Sequence, residues 1–442
     1  MATLSPTTAV EKAAGFDHAV VSFIDAGGYP FSVAGSFVAD GPGAVVEVGP
    51  LDASVMPADG QEVGLLFSHI RPQPGIGYDE RRYVNAWGTA SVDAARRVVR
   101  VQVTSATGWD EAETPFFEYA ERTVDEAKRY MDELGARPRL SAWWTFFLTT
   151  RLPFLTATIV PVALGGAVAA RHHRFGWGWF GLAMLGAVLI HLGLNMANDL
   201  FDDASGADKA NVTPTPFSGG SRVLQYGLVS RRAVVTAASA CYVGGIGIGL
   251  YLAAARGWGL LWIGAVGVLI SLAYSAPPLR LVHRGLGEVT TALGFGPVTT
   301  LGTYYVCAQR FSGEALYASL PVALFIALVL YVNEIPDRDG DAAVGKRTLP
   351  VRWPKQRVIN GFTLGATLAY VLIVVGVAAR ITPAWTLLAL VTVPMARGVA
   401  AGLRKHYDRP YDLMPAMQRN IALHFVTGTL LVIGYVIGNI VR

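Results

Sequence analysis

The stretch "HLGLNMANDLFDDASGAD", His191 to Asp208, ends a long apolar run in Asn195, Asn198, Asp199, Asp202, Asp203 and Asp208. Carboxylates at the end of a membrane-type helix are expensive unless they are used. Asn198 and Asp202 lie one helical turn apart, as do Asn195 with Asp199 and Asp199 with Asp203, so each pair shares a face. A second cluster, "YVNEIPDRDGDAAVGKRTLP" (331–350), repeats the four-residue step in Asn333, Asp337 and Asp341, and its Pro336 is expected to loosen the helix and free carbonyls. Helix caps and solvated loop acids explain a single aspartate of this kind. They do not explain two clusters of matched spacing, each followed by basic residues.

The rest of the chain sets these clusters in a membrane. Its 442 residues have a mean hydropathy of +0.40 and only 15% charged residues, too few for a water-soluble protein of this size. The net charge of +4 does not indicate a nucleic-acid partner. Cys241 and Cys307 both fall in apolar runs and read as packing residues. The N-terminus lacks the basic flank and apolar core of a signal peptide.

About nine apolar segments approach bilayer-spanning length, near 152–170, 177–200, 233–254, 257–273, 287–307, 315–334, 359–379, 383–400 and 420–440. The loops after the second, fourth, sixth and eighth hold roughly 16 basic residues, against about 6 on the opposite side. That asymmetry puts the N-terminal region and both acid clusters in the cytoplasm and the C-terminus outside a cell (inner) membrane. Both clusters then end even-numbered segments on one face.

Dense carboxylate and amide oxygens suit magnesium, which takes a few carboxylates, water and substrate phosphates. Lys209, Arg222, Lys346 and Arg347 are placed to meet remaining phosphate charge. The turn "FSGGSR" (217–222) can offer backbone amides to an anion. A third stretch, "LAYSAPPLRLVHRGLGE" (272–288), adds Tyr274, Arg280, His283 and Arg284.

"NDLFD" (198–202), "YSAPPLRL" (274–281) and "NEIPDRDGDAAVGKRTL" (333–349) together resemble the UbiA superfamily of intramembrane prenyltransferases, over residues 145–440. The first motif departs from the family pattern: its last acid position is Gly206, and Asp208 lies two residues on. That spacing, with "TPFSGGSRVL", "GFGPVTTLGTYY" and "RLPFLTATIVPVALG", resembles the subgroup acting on 1,4-dihydroxy-2-naphthoate in menaquinone synthesis. The resemblance implies Mg²⁺ held by Asn198, Asp202, Asp337 and Asp341, with Asn333, Asp199, Asp203 and Asp208 as further candidates. It implies a polyprenyl diphosphate donor gripped by Lys209, Arg222, Arg280, Lys346 and Arg347. It implies chemistry at Asp202, Asp337, Tyr274 and Lys346, an aromatic quinone precursor as acceptor, and a lipid-facing tail. Alternatives are another acceptor (hydroxybenzoate, porphyrin or glycerophospholipid ether), a transporter or lipid-binding protein, and an anchored flavin oxidoreductase.

Residues 15–110 alternate in short β-type runs such as "AVVSFID" and "RVVRVQVTSATGW". Six strands suggest a small β-barrel resembling the pyridoxamine-phosphate-oxidase-like split barrel, a flavin-binding fold. That implies FMN, with Arg71, Arg81 and Arg82 on its phosphate. A helix follows with Phe117, Ala120, Val124, Ala127, Met131 and Leu134 on one face and Gly135 as its stop. The expected organisation is a soluble domain over 1–138 and an all-α membrane bundle over 139–442, with Trp143 and Trp144 at the interface.

Overall fold

The computed structural model describes residues 2–52, 56–73, 77–135 and 141–441. The chain divides into two compact units, Met1–Arg129 and Tyr130–Arg442. The boundary expected at 138/139 lies outside the described residues.

In the first unit, β1 (Ala2–Leu4) and α1 (Pro6–Ala13) precede β2 (Ala19–Ile24), β3 (Pro30–Gly35), β4 (Phe37–Asp40), β5 (Val45–Val48), β6 (Glu62–Gln73), β7 (Gly77–Asp93) and β8 (Val98–Asp110). They pair antiparallel in the order β3-β2-β6-β7-β8-β5-β4, with β1 on β8. Strict alternation sends Val99, Val101 and Val103 of β8 inward beside Val46, Val63 and Leu65, and α1 covers them with Ala9, Val10 and Ala13. The result is a curled, half-barrel sheet. No ladder among the described residues joins β3 to β4, so the small barrel expected from the strands is built as a half-barrel open between those edges. Gly88 sits at a register shift where a Cβ would come 2.1 Å from the Gln102 carbonyl oxygen, an approach only glycine permits.

The helix expected after the strands is two: α2 (Phe116–Arg122) and α3 (Val124–Glu133), separated at Thr123. Its expected apolar face is not buried, and Ala120, Ala127 and Leu134 are exposed. Packing uses the aromatic residues instead: Tyr119 stacks on Trp109 at 4.6 Å, and its hydroxyl meets that of Tyr83 at 2.7 Å. Gly135 follows α3 with φ +62°, as a helix stop requires.

The second unit is helical. It contains α4 (Ala142–Thr150), α5 (Thr156–Arg171), α6 (Trp177–Ser205), the one-turn α7 (Ala207–Ala210), α8 (Arg231–Arg256) and α9 (Gly259–Ser275). Then come α10 (Gly287–Leu293), α11 (Thr299–Ala308), α12 (Gly313–Ala343), α13 (Leu349–Arg352), α14 (Lys355–Ala378), α15 (Val393–His406) and α16 (Pro410–Ile440). Among the described residues, seven helical spans are long and apolar enough to cross a membrane, and α9 is a shorter apolar helix. The segment read as one span over 287–307 is α10 and α11 joined by a π-helical turn at Gly294–Val298. Trp143 and Trp144 are exposed at the start of α4.

α12 is the most enclosed of these helices and packs against α5, α10, α14 and α16. Ser312 caps its start by accepting from the Ala315 amide at 3.2 Å. α12 continues through Pro336 to Ala343, with Tyr331–Pro336 buried among its neighbours. The acid-bearing ends of α6 and α12 therefore enter one site as rigid helix.

Candidate active site

α6 stops because Gly206 adopts φ +79°, and α7 then turns the chain back, burying Asp208 at 4% exposure. Loop 211–222 folds over the ends of α6 and α12. Asn211 Nδ2 donates to Asp337 Oδ1 at 2.7 Å, and the Gly219 amide donates to Asp337 Oδ2 at 3.0 Å. Lys346, just beyond α12, lies 3.3 Å from Asp341 and 3.9 Å from Asp202, so it bridges the two clusters. On α6, Asn198 donates to Asp202 at 3.0 Å and accepts from Ser275 Oγ at 2.6 Å.

These groups rim one end of a cavity of about 600 Å³. Asp202, Asp208, Glu334, Asp337 and Asp341 line it, with Arg151 and Lys346 as lining cations. Asn198, Asn333 and Tyr274 also line it. The rest of the wall is largely apolar and comes mainly from α6, α8, α9, α11, α12 and the π turn. Burial pushes the Lys346 ammonium down, but Asp202 and Asp341 outweigh it and hold it well above its ordinary value. Burial, then Asp202 and Asp199, push the Asp208 carboxyl up to about 8. Burial and then Lys346 lower His283, 4.0 Å from Asp202.

Other expected residues stand elsewhere. Asp199 is ion-paired with Arg151, accepts from the Ser221 amide at 3.4 Å, and does not line the cavity. Asp203 pairs with Arg231 at 2.8 Å. Arg222 is buried, and its guanidinium donates to the carbonyls of Asp208 and Asn211. Lys209, Arg280 and Arg347 are exposed and outside the cavity wall. The "FSGGSR" amides of Gly219 and Ser221 face Asp337 and Asp199, so they hold carboxylates. Sequence reading missed Arg151, Asn211, Glu334, His191 and His424, all on the cavity wall. Glu334 carried a signal: "NEIPD" repeats the spacing of "NDLFD".

In the first unit the three arginines expected on a flavin phosphate are engaged internally. Arg71 forks onto Asp79 at 2.9 and 2.8 Å, and Arg81 holds Glu111 at 2.6 Å beneath Phe116. Arg82 donates to the Gly15 carbonyl and lies over Phe16. These residues do not fit an FMN phosphate.

The donor set of the cavity does suit a hard divalent cation. Asp202 Oδ1, Asp341 Oδ2 and Asn333 Oδ1 are buried without hydrogen-bond partners, and acids outnumber cations on the wall. Among the described residues, no three His, Cys, Asp or Glu side chains form a metal cluster by themselves. An ion here would complete its shell with water and ligand oxygens, as magnesium does.

The helical unit thus encloses an acid-rimmed, largely apolar cavity among helices long enough to cross a membrane. Residues 158–422 match the UbiA prenyltransferase family, and the chain belongs to it. It is an integral-membrane prenyltransferase. It is 31% identical over 274 residues to the 1,4-dihydroxy-2-naphthoate octaprenyltransferase of Mycobacterium tuberculosis, covering 61% of this chain and 85% of that protein. It is 28% identical over 287 residues to the 2-carboxy-1,4-naphthoquinone phytyltransferase of a Synechocystis species, covering 64% of this chain and 90% of that protein. Among solved structures, the apo UbiA homologue from Aeropyrum pernix aligns with a TM-score of 0.47 at 21% identity, covering 63% of this chain and 97% of that one. A UbiA homologue from Archaeoglobus fulgidus bound to DMAPP and Mg²⁺ aligns with a TM-score of 0.47 at 13% identity, covering 65% and 98%.

Proposed function

We propose that the chain transfers a polyprenyl group from its diphosphate to 1,4-dihydroxy-2-naphthoate, with magnesium, in menaquinone biosynthesis. The observation that carries this reading is the meeting of the α6 and α12 carboxylates across Lys346 at the mouth of a long apolar cavity. The curated relatives' names supply the acceptor class. Asn198, Asp202, Asn333, Asp337 and Asp341 would hold magnesium, with Asp208 as the acid that stands in for the position occupied by Gly206. Magnesium there would neutralise the donor's diphosphate and favour its departure. Lys346 is the cation poised to share that charge. Tyr274 bounds the reacting end, and the apolar wall shelters the allylic centre from water. Loop 211–222 holds Asp337 in place by two hydrogen bonds rather than touching phosphate. Lys209, Arg280 and Arg347 are exposed, and the surplus of basic residues in these loops supports a cytoplasmic position for this end and an external C-terminus across the cell membrane.

The test is prenyl transfer by the purified protein in detergent, with radiolabelled geranylgeranyl diphosphate, magnesium and 1,4-dihydroxy-2-naphthoate. Wild type is expected to form a prenylated naphthoquinone, and Asp202→Ala and Asp337→Ala to lose about 100-fold or more of the rate. Equal rates with and without magnesium, or full activity in either variant, would sink the metal assignment.

A further inference from the structure

Asn198-Asp199-x-x-Asp202 on α6 and Asn333-Glu334-x-x-Asp337 on α12 share one spacing, so Asp199 and Glu334 occupy equivalent places. Their surroundings differ. Asp199 has the Arg151 guanidinium and does not line the cavity. Glu334 lines the cavity, is 5% exposed, and its carboxylate meets no hydrogen-bond donor other than the carboxyl of a neighbouring acid. Its neighbour is a second buried acid, Glu288 at the start of α10, whose Oε1 is also unpartnered. Among the described residues no Lys, Arg or His is ion-paired with either acid, and Lys346 is engaged by Asp202 and Asp341.

Buried acid oxygens without donors forfeit their solvation, and inside a membrane such groups mark sites where a ligand brings the donors. The ligand's edge can be characterised. Two acids without a cation reject an anionic group, so neither a diphosphate nor a carboxylate belongs against them. Glu334 sits one residue, about 100° of helix, off the Asn333–Asp337–Asp341 face, and beside it the wall is Tyr274, Val282, Thr290 and Leu330. An apolar slot ending in carboxylate acceptors fits a planar ring that carries hydroxyls.

We propose that Glu334, backed by Glu288, receives one phenolic hydroxyl of the aromatic acceptor and holds its ring beside the allylic end of the donor. This rests on the reading of the chain as transferring prenyl groups to an aromatic acceptor, and adds which edge of that acceptor the enzyme reads. A carboxylated acceptor must then enter by the hydroxyl remote from its carboxylate, with the carboxylate turned away from this wall. Loss of that hydroxyl then costs binding, whereas substituents on the opposite side of the ring do not.

The experiment uses the full chain in detergent, as wild type, Glu334→Gln and Glu288→Gln. Binding of 1,4-dihydroxy-2-naphthoate, kept reduced under nitrogen, is compared with that of 2-naphthoate without donor or magnesium. Wild type is expected to prefer the dihydroxy compound at least tenfold. Glu334→Gln erases that preference with an unchanged thermal midpoint, and Glu288→Gln reduces it several-fold. In turnover, Glu334→Gln raises the acceptor KM about tenfold and leaves the donor KM and the magnesium requirement unchanged. A wild type that binds both naphthoates equally overturns the proposal, as do variants that keep the preference. A raised magnesium requirement with an unchanged acceptor KM also overturns it and moves Glu334 to the metal. Prenyl transfer without hydroxyl preference overturns this proposal alone. A preference lost in Glu334→Gln, without any prenyl transfer by wild type, supports it and overturns the transfer reading.

Discussion

Arg222 shows how a single residue's role turns on burial rather than on type. In sequence it is one more cation near an acid cluster, and a phosphate ligand fits that description. In the fold it is 4% exposed and ties the carbonyls of Asp208 and Asn211 together, which fixes the loop that positions Asp337. Lysine keeps the charge but lacks the planar fork that spans both carbonyls. Arg222→Lys is therefore expected to lose about 1.5–3 kcal/mol from one broken charge-assisted hydrogen bond. Thermal unfolding in detergent should show a lowered midpoint, and kcat should fall at saturating donor. A raised donor KM with an unchanged midpoint would return Arg222 to the diphosphate. Arg71, Arg81 and Arg82 carry the same lesson. Their acidic and carbonyl partners lie in other parts of the chain or in the strand itself, and no local pattern announces that Asp79 and Glu111 have already claimed two of them. Asp208 could be singled out in sequence only as the acid two residues beyond Gly206, whereas its burial follows from the turn that Gly206 makes at φ +79°.

At the scale of elements, hydropathy revealed the long helices because each must hide its backbone from lipid over some twenty residues. Finer features depend on hydrogen-bond register and close approach, which composition does not encode. The π turn at Gly294–Val298 interrupts a run that is uniformly apolar, and α12 continues through Pro336 within its buried stretch. Strand alternation gave the sheet's inner face, but whether its two edges meet depends on curvature rather than on any residue. Close approach also sets the site. A Cβ on Gly340 would come 2.8 Å from the Asn211 Cα and 2.9 Å from its nitrogen, so α12 can seat loop 211–222 only with glycine there. Gly340→Ala is expected to cost about 1–3 kcal/mol through overpacking and to weaken magnesium-dependent transfer at least tenfold by displacing Asn211 from Asp337. Gly178→Ala, where an added Cβ meets nothing within 4 Å, should leave both stability and rate unchanged. Equal behaviour of the two variants would show that the seating of the loop does not matter.

Across the membrane unit as a whole, the cavity is an elongated space with chemistry at one end. Asp202 and Ala183 both lie on its wall, and α6 rises roughly 28 Å between them. The far end is bounded by the cluster of Ala183, Leu252, Leu260 and Val306, which carries no charge. A donor with its diphosphate among the carboxylates would lay its hydrocarbon tail along this wall, exchanging water for apolar surface at about 25 cal/mol per Å². Part of the donor's binding energy then comes from carbons remote from the reacting one, and a barrier placed partway along should separate long donors from short. Gly264 on α9 lines the cavity, has nothing within 4 Å of an added Cβ, and lies about 15 Å along the helix from Tyr274. Gly264→Phe is expected to cut kcat/KM for geranylgeranyl diphosphate at least tenfold while leaving that for dimethylallyl diphosphate within twofold, because the short donor never reaches the obstruction. Parallel loss with both donors would mean that the tail follows another path or that the substitution disturbs the carboxylate end. An unchanged ratio at full activity would place the tail outside this space altogether.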